Sequence, residues 1–316
     1  MKPQTTTVQF CEISDPGPPK TNLGAIALRE NDPVYHLHTG LSPFTLSAPH
    51  AGWKVPRHMI DQDGNPLGAP AWWFDPDINE HRHEVCDWGT AELVKRLNKL
   101  SPHLSSIASN VSRLVVEKNR AWEYAMTPNS SEYGARLCVP GNHNISKEKL
   151  AQRKTIYDTY TRAEEKLVSN IKNTHNGAAH IALHSFSPKW HGHGRDHEIG
   201  ITYFEDTILS RLIEHAFIER IGNRAASQYP YNLKDGQFSN KIAAPKLSKK
   251  YDTPFIMIEI RNDLLQDPQR LEETTQLFLQ ILKDIEKNPL YKHCFSRKQS
   301  ARTSIPAAST PAFEPI

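Results

Sequence analysis

The run Phe255–Ile260 (FIMIEI) is the most strand-like stretch of the chain, and it carries an acid, Glu259, in its interior. An ionisable group in an otherwise apolar strand is costly unless it is paired or functional. Shorter strand-like runs occur at Phe44–Ala48 (FTLSA), Leu104–Asn110, Ser112–Val116, His180–Leu183 (HIAL) and Ile199–Phe204 (IGITYF). Between them the spacing predicts helices. One covers Glu80–Leu100, where Cys86, Thr90, Leu93, Leu97 and Leu100 form one apolar stripe. Others cover Ser146–Lys172, with Ser146 as N-cap, Asp206–Gln228, capped by Asp206, and Pro268–Lys287. Strands alternating with helices imply an α/β sandwich around a mostly parallel sheet.

With 316 residues and no 20–50-residue repeat, the chain is read as one main domain, 41–295. An N-terminal arm, 1–40, precedes it, and a Ser/Thr/Ala/Pro-rich tail, 296–316, expected to be disordered, follows it. The formal net charge of +3 is too small to argue for a nucleic-acid or membrane partner. No apolar run approaches the roughly 18 residues of a membrane span. The N-terminus lacks an apolar signal-peptide core. The four cysteines are far apart, without CxxC spacing, and read as isolated thiols in a reducing compartment. A cytoplasmic location is therefore expected. No sequence feature sets an oligomeric state.

Ligands of open α/β sheets bind beyond the carboxyl ends of the strands. Three runs deliver reactive residues there. FTLSA leads into Pro49-His50-Ala51-Gly52, HIAL into His184-Ser185-Phe186-Ser187-Pro188, and FIMI into Glu259-Ile260-Arg261. Two imidazoles and a carboxylate suit a catalytic Zn²⁺, which takes three protein ligands and leaves a place for water. Alternation puts Glu259 and Arg261 on one sheet face, so they can also pair with each other. The common hydrolase signatures are missing: there is no GxSxG, no GxxxxGK[ST] and no HExxH. His81-Arg82-His83 forms an HxH. Six of the 16 histidines fall between His175 and His197, and the stretch His191–His197 reads as a solvated polar loop.

In order, SAPHAGWKVP (47–56), HEVCDWGTAELVKRL (83–97), SRLVVEKNR (112–120), VPGN (139–142), LHSFSP (183–188), the Arg195…Gly200 spacing and MIEIRNDLL (257–265) resemble the N-formylglutamate amidohydrolase family. The resemblance implies a three-layer α/β sandwich with a mixed, mostly parallel central sheet, phosphorylase/hydrolase-like and similar to zinc carboxypeptidases and aspartoacylases. It also implies hydrolysis of the N-acyl amide of an acidic amino acid. The type reaction releases formate from N-formylglutamate, the last step of one histidine-degradation route.

By the same resemblance His50, Asp87 and His184 hold the metal: Zn²⁺, or another divalent ion such as Co²⁺, Mn²⁺ or Fe²⁺. Asp87 is taken as the carboxylate ligand because Trp53 occupies the acid position of the HxxE of carboxypeptidases. His83, four residues earlier on the expected helix, and Glu84 are alternatives. Glu259 is the implied general base. Asn119 and Arg120 resemble a pair that holds a substrate carboxylate. Arg113, Arg195 and Arg261 are candidates for a second carboxylate, and Arg195 or Arg113 for steadying the oxyanion. The chain departs from the family in two places. Glu117 takes the acid position of a usual DxNR, and Thr159-Tyr160-Thr161 replaces a usual PYH. The expected partner is a small-molecule carboxylate substrate. The competing readings are a deacylase or peptidase acting on another N-acyl substrate, and a non-catalytic ligand-binding protein of the same fold.

Overall fold

The computed structural model describes residues 26–74, 82–126, 139–175, 178–190, 193–234 and 241–290. The expected tail, the first 25 residues of the expected arm, and His81 and His191 lie outside the described residues.

Seven strands form the central sheet: β1 (Tyr35–His38), β2 (Phe44–Ala48), β3 (Ser105–Ser109), β4 (Ala179–Phe186), β5 (Ile199–Thr202), β6 (Ala225–Ser227) and β7 (Phe255–Arg261). Their spatial order is β6-β5-β7-β4-β2-β3-β1. The four central strands β7, β4, β2 and β3 run parallel. β1 joins one edge antiparallel to β3. β5 runs antiparallel to β7, and β6 is parallel to β5. The sheet is therefore mixed and mostly parallel, as the alternation of strands and helices implies. Its central strands are buried except at Arg261, the last residue of β7, which suits the apolar composition of most of β7 and of the middle of β4.

The helices are α1 (Arg82–Val85), α2 (Thr90–Leu100), α3 (Lys147–His175), α4 (Ile208–Ile221), α5 (Ala244–Tyr251), α6 (Asn262–Gln266) and α7 (Pro268–Lys287). Alternation along the strands feeds two cores. On one face Leu46, Leu183, Ile256, Ile258 and Ile260 pack with Leu93 and Leu97 of α2, Ile213 and Phe217 of α4 and Phe278 of α7. On the other, Ile107 meets Tyr160 and Leu167 of α3, while Ala182, Phe255 and Met257 meet Ala244 of α5. Three layers result. Among the described residues no helix is long and apolar enough to cross a membrane.

Four sequence expectations change. The helix over Glu80–Leu100 is broken, because Gly89 has a φ of 81° and turns the chain between α1 and α2. A left-handed residue ends helical geometry, and glycine adopts it without penalty. Asp87 lies in that break, with its backbone N–H on the His50 carbonyl at 2.8 Å, so it does not share a helix face with His83. Ser112–Val116 is not a strand. Side chains serve part of its backbone instead: Asn142 Nδ2 donates to Leu114 O (3.0 Å) and Lys118 Nζ to Val116 O (3.0 Å), as well as to Val111 O just before the segment (2.9 Å). The helix expected over 206–228 runs only over α4. Its cap is Thr207, in a reciprocal pair with Ser210, whereas Asp206 binds Lys234 and Arg211. Gly222 (φ 58°) ends α4, and the chain adds β6 to the sheet. Residues 35–38, read as part of the arm, form the edge strand β1. The N-cap at Ser146 is present: its Oγ accepts from Lys149 N at 3.3 Å.

Candidate active site

Neighbouring strands β7, β4 and β2 bring Glu259, His184 and His50 to one rim. Glu259 and His184 are register partners on β7 and β4, and both lie within their strands rather than beyond them. His50 follows β2 directly. Its ring stands edge-on to that of His184, with centroids 4.7 Å apart and an interplanar angle of 79°. Asp87 enters from the break before α2. Its Oδ2 lies 2.7 Å from His184 Nδ1, 3.3 Å from His50 Nδ1 and 3.2 Å from the Ser185 backbone nitrogen.

His50, Asp87 and His184 are all buried, and one candidate ligand atom from each lies within 4.8 Å of the others. Ligands bound tetrahedrally at about 2.0–2.1 Å stand about 3.3 Å apart, so only small shifts would close this set around one ion. The donor types, two imidazoles and a carboxylate, suit Zn²⁺ and its neighbours. Moreover, His50 Nδ1, His184 Nε2 and Glu259 Oε2 are buried without a hydrogen-bond partner. Buried polar atoms are normally satisfied, so this cluster of orphans fits a site for a bound group. Of the alternatives, His83 lines the same cavity but stays outside the three-residue cluster. Burial lowers its pKa to about 4 and keeps it neutral. Glu84 does not line the cavity.

A second carboxylate, Glu117, organises the surroundings. Its Oε1 accepts from His50 Nε2 and, at 3.0 Å, from the Asn119 backbone. Its Oε2 accepts from Arg113 Nε (3.0 Å) and pairs with Arg113 Nη2 (2.9 Å). Because Nε2–H donates to Glu117, the lone pair of His50 is left on Nδ1, on the Asp87 side. Sequence reasoning gave Glu117 no role. The signal available was its place at the acid position of SRLVVEKNR.

Burial works to raise the pKa of Asp87, but the neighbouring imidazoles of His50 and of His184, the latter hydrogen-bonded to it, outweigh it and hold the carboxyl well below its ordinary range. Glu117 behaves alike, with His50 and then Arg113 overcoming burial. Glu259 moves the other way. Burial first, and repulsion from Asp87 second, push it well above the usual carboxylate range. Two neighbouring carboxyl groups with opposite displacements are a common signature of divided acid–base work.

The cavity over this cluster measures about 650 Å³. Asn119, Arg120 and Arg195 line it. Arg195 lies among the rings of Phe186, Trp190 and Tyr231, with its guanidinium carbon 5.1–5.8 Å from their centres. Arg113 also lines the cavity but is committed to Glu117 and, at 3.4 Å, to Asp87 Oδ1. Arg261, a candidate for a second carboxylate and a possible partner of Glu259, does not line the cavity. It is the last residue of β7, where the chain turns into α6, and its guanidinium binds Asp263 at 2.8 and 3.1 Å. Of the His191–His197 loop, His193 reaches the cavity wall, while His197 Nδ1 meets the Asn223 carbonyl at 2.7 Å.

Fold and site together define a three-layer α/β protein whose cavity, where the central parallel strands end, combines ionisable groups with an aromatic wall. The family model of N-formylglutamate amidohydrolase matches residues 42–266, and the chain belongs to that family. Two solved structures share the fold. A gene product of Agrobacterium tumefaciens, Atu2144, superposes with a TM-score of 0.62 at 22% identity, covering 80% of this chain and 96% of its own. An N-formylglutamate amidohydrolase from Ralstonia eutropha gives a TM-score of 0.51 at 14% identity, covering 80% and 98%. No curated protein matches the chain significantly.

Proposed function

We propose that this protein is a metal-dependent amidohydrolase that cleaves the N-acyl amide, with formyl as the leading candidate, of an acidic amino acid such as N-formylglutamate. The observation that carries the reading is the convergence of His50, Asp87 and His184 at the strand ends, with Glu259 in register beside His184. These three residues would hold a divalent ion: Zn²⁺, Co²⁺, Mn²⁺ or Fe²⁺. When bound, such an ion lowers the pKa of coordinated water and polarises an amide carbonyl.

The remaining work falls to the chain. Glu259, already disposed to hold a proton, takes one from the attacking water and returns it to the leaving nitrogen. Asn119 and Arg120 hold the α-carboxylate of the substrate, the guanidinium presenting a rigid fork and the amide a neutral donor. Arg195, fixed between aromatic faces, receives the second carboxylate. Glu117 sets the tautomer of His50, and Arg113 braces Glu117 and Asp87.

The aromatic wall of Trp190, Tyr229 and Tyr231 favours one further reading, a deacylase for a bulkier N-acyl group. Elemental analysis of the purified protein, with rates for N-formyl-, N-acetyl- and N-succinyl-glutamate, tests both. We expect about one divalent ion per chain and formate release from the formyl substrate. Preference for a larger acyl group selects the second reading, and no hydrolysis of any member by metal-loaded protein rejects both. Glu259→Gln should keep the metal and lower kcat by about 10²–10⁴-fold; near-normal kcat would remove Glu259 from the mechanism.

A further inference from the structure

We propose that a cleft at the start of α3, lined by other residues than the catalytic cavity, is a second binding site, which takes a small oxyanion through Arg153, Lys149 and Gln152. The cleft measures about 320 Å³ and shares no lining residue with the catalytic cavity. Arg153 is only 2% exposed. Among the described residues its hydrogen-bond partners are all neutral: the Gly141 carbonyl at 2.8 Å, Asn142 Oδ1, and Met126 Sδ at 3.6 Å. Its Nε has no partner, and no described carboxylate pairs with it. Burial alone lowers its pKa, to about 10, so it is still a cation at neutral pH.

A buried charge without a counter-ion is costly. The bonds to Gly141 and Asn142 fix the neighbouring loop but leave that charge unbalanced. A phosphate or carboxylate group in the cleft would balance it. Lys149, exposed at the mouth, adds a second positive charge, and Gln152 adds an amide donor. Both stand near the N-terminus of α3, where the helix dipole also favours an anion. Among the described residues of the wall the one acid, Asp61, has its Oδ1 engaged by the Asn65 backbone at 2.8 Å. The volume suits a small metabolite rather than a chain segment. Occupancy would bear on the catalytic loop, because Asn142 also donates to Leu114 O at 3.0 Å, next to Arg113.

Calorimetric titration of the full-length protein with inorganic phosphate, and separately with acetate, tests the site. Arg153 variants can fail to fold, so the informative changes are Lys149→Glu and Gln152→Glu, with Arg120→Ala as the catalytic-cavity control. The expected result is a binding step that each cleft variant weakens at least about tenfold, the effect of one lost charge interaction of about 1.4 kcal/mol, and that Arg120→Ala leaves in place. The tighter of the two anions identifies the oxyanion class. Binding of neither anion, or binding lost in Arg120→Ala but kept in both cleft variants, overturns the proposal.

Discussion

His50 has two ring nitrogens, and its neighbours give them different tasks. Nε2 donates to Glu117, while Nδ1 faces Asp87 Oδ2 at 3.3 Å without a hydrogen bond. Replacing Glu117 by Gln removes the charge that fixes this tautomer and lets the amide donate as well as accept. Metal affinity in Glu117→Gln should fall about 10–100-fold, the usual effect of removing a carboxylate behind a ligating histidine. A competition titration with a chromophoric chelator reads this directly, and unchanged affinity would reduce Glu117 to a packing role. Next to it, Lys118 is 1% exposed, and burial lowers its pKa to about 7 from 10.5. A neutral amine has two N–H groups, which matches the two carbonyls it serves. The unfolded lysine keeps its proton up to about pH 10, so above pH 7 the unfolded state binds more protons than the folded one. The wild type should therefore gain stability relative to Lys118→Met as pH rises from about 7 to about 10. Urea melts at several pH values check the sign, and a pH-independent difference would mean that Lys118 stays charged. The motif around 112–120 was legible as a motif. The burial of Lys118 was not, because a lysine in a sequence reads as solvent-facing and nothing local marks the two carbonyls it will reach.

Elements that bury both faces were the easiest to read. The cores of β2, β4 and β7 follow from their apolar runs, and α7 closes at Lys287 as its periodicity requires. Composition misleads where side chains replace the backbone ladder. Ser112–Val116 has strand composition, yet Val115 N closes a turn on Ser112 O (3.1 Å), and the carbonyls of Leu114 and Val116 accept from the side chains of Asn142 and Lys118, each at 3.0 Å. The break before α2 was hidden because an apolar stripe can continue across a turn. Close approach of two loops also explains Gly52. The segments after β2 and β3 are joined by Lys54 N to Asn110 O (3.3 Å) and Ser112 N to Lys54 O (2.9 Å). A Cβ at Gly52 would lie 2.5 Å from the Val111 backbone nitrogen, too close to be absorbed by side-chain motion. Gly52→Ala must separate the loops and carry His50 with them. We expect a loss of about 2–3 kcal/mol, typical of overpacking against backbone, together with reduced metal content. Gly194→Ala, where a Cβ meets nothing within 4 Å, is the stability control. Equal thermal melts for the two variants would contradict the argument.

At the scale of the molecule, the site is a consequence of strand order. β7, β4 and β2 are adjacent and parallel, so residues near their carboxyl ends must meet, and a sequence reading that recognises three such runs places His50, His184 and Glu259 together. Asp87 is different. It comes from a loop, and its proximity to the two histidines is a tertiary fact that the helix expected over Glu80–Leu100 does not contain. Arg261 shows the converse limit: alternation fixes a face of the sheet but not what happens where the strand ends. The assembled cluster also couples folding to metal. Three buried atoms, His50 Nδ1, His184 Nε2 and Glu259 Oε2, have no hydrogen-bond partner, and the unfolded chain would give them water. An ion that binds only the folded site stabilises by RT ln(1 + [L]/Kd), about 2.7 kcal/mol at a hundredfold excess over Kd. Chelated protein should therefore melt several degrees lower than protein restored with Zn²⁺. His184→Ala should lose most of this metal-dependent shift whatever its own Tm, since its cluster has one donor fewer. If Zn²⁺ raises the melting temperature of His184→Ala as much as that of the wild type, the stabilising ion sits elsewhere, and the three residues at the strand ends are not its ligands.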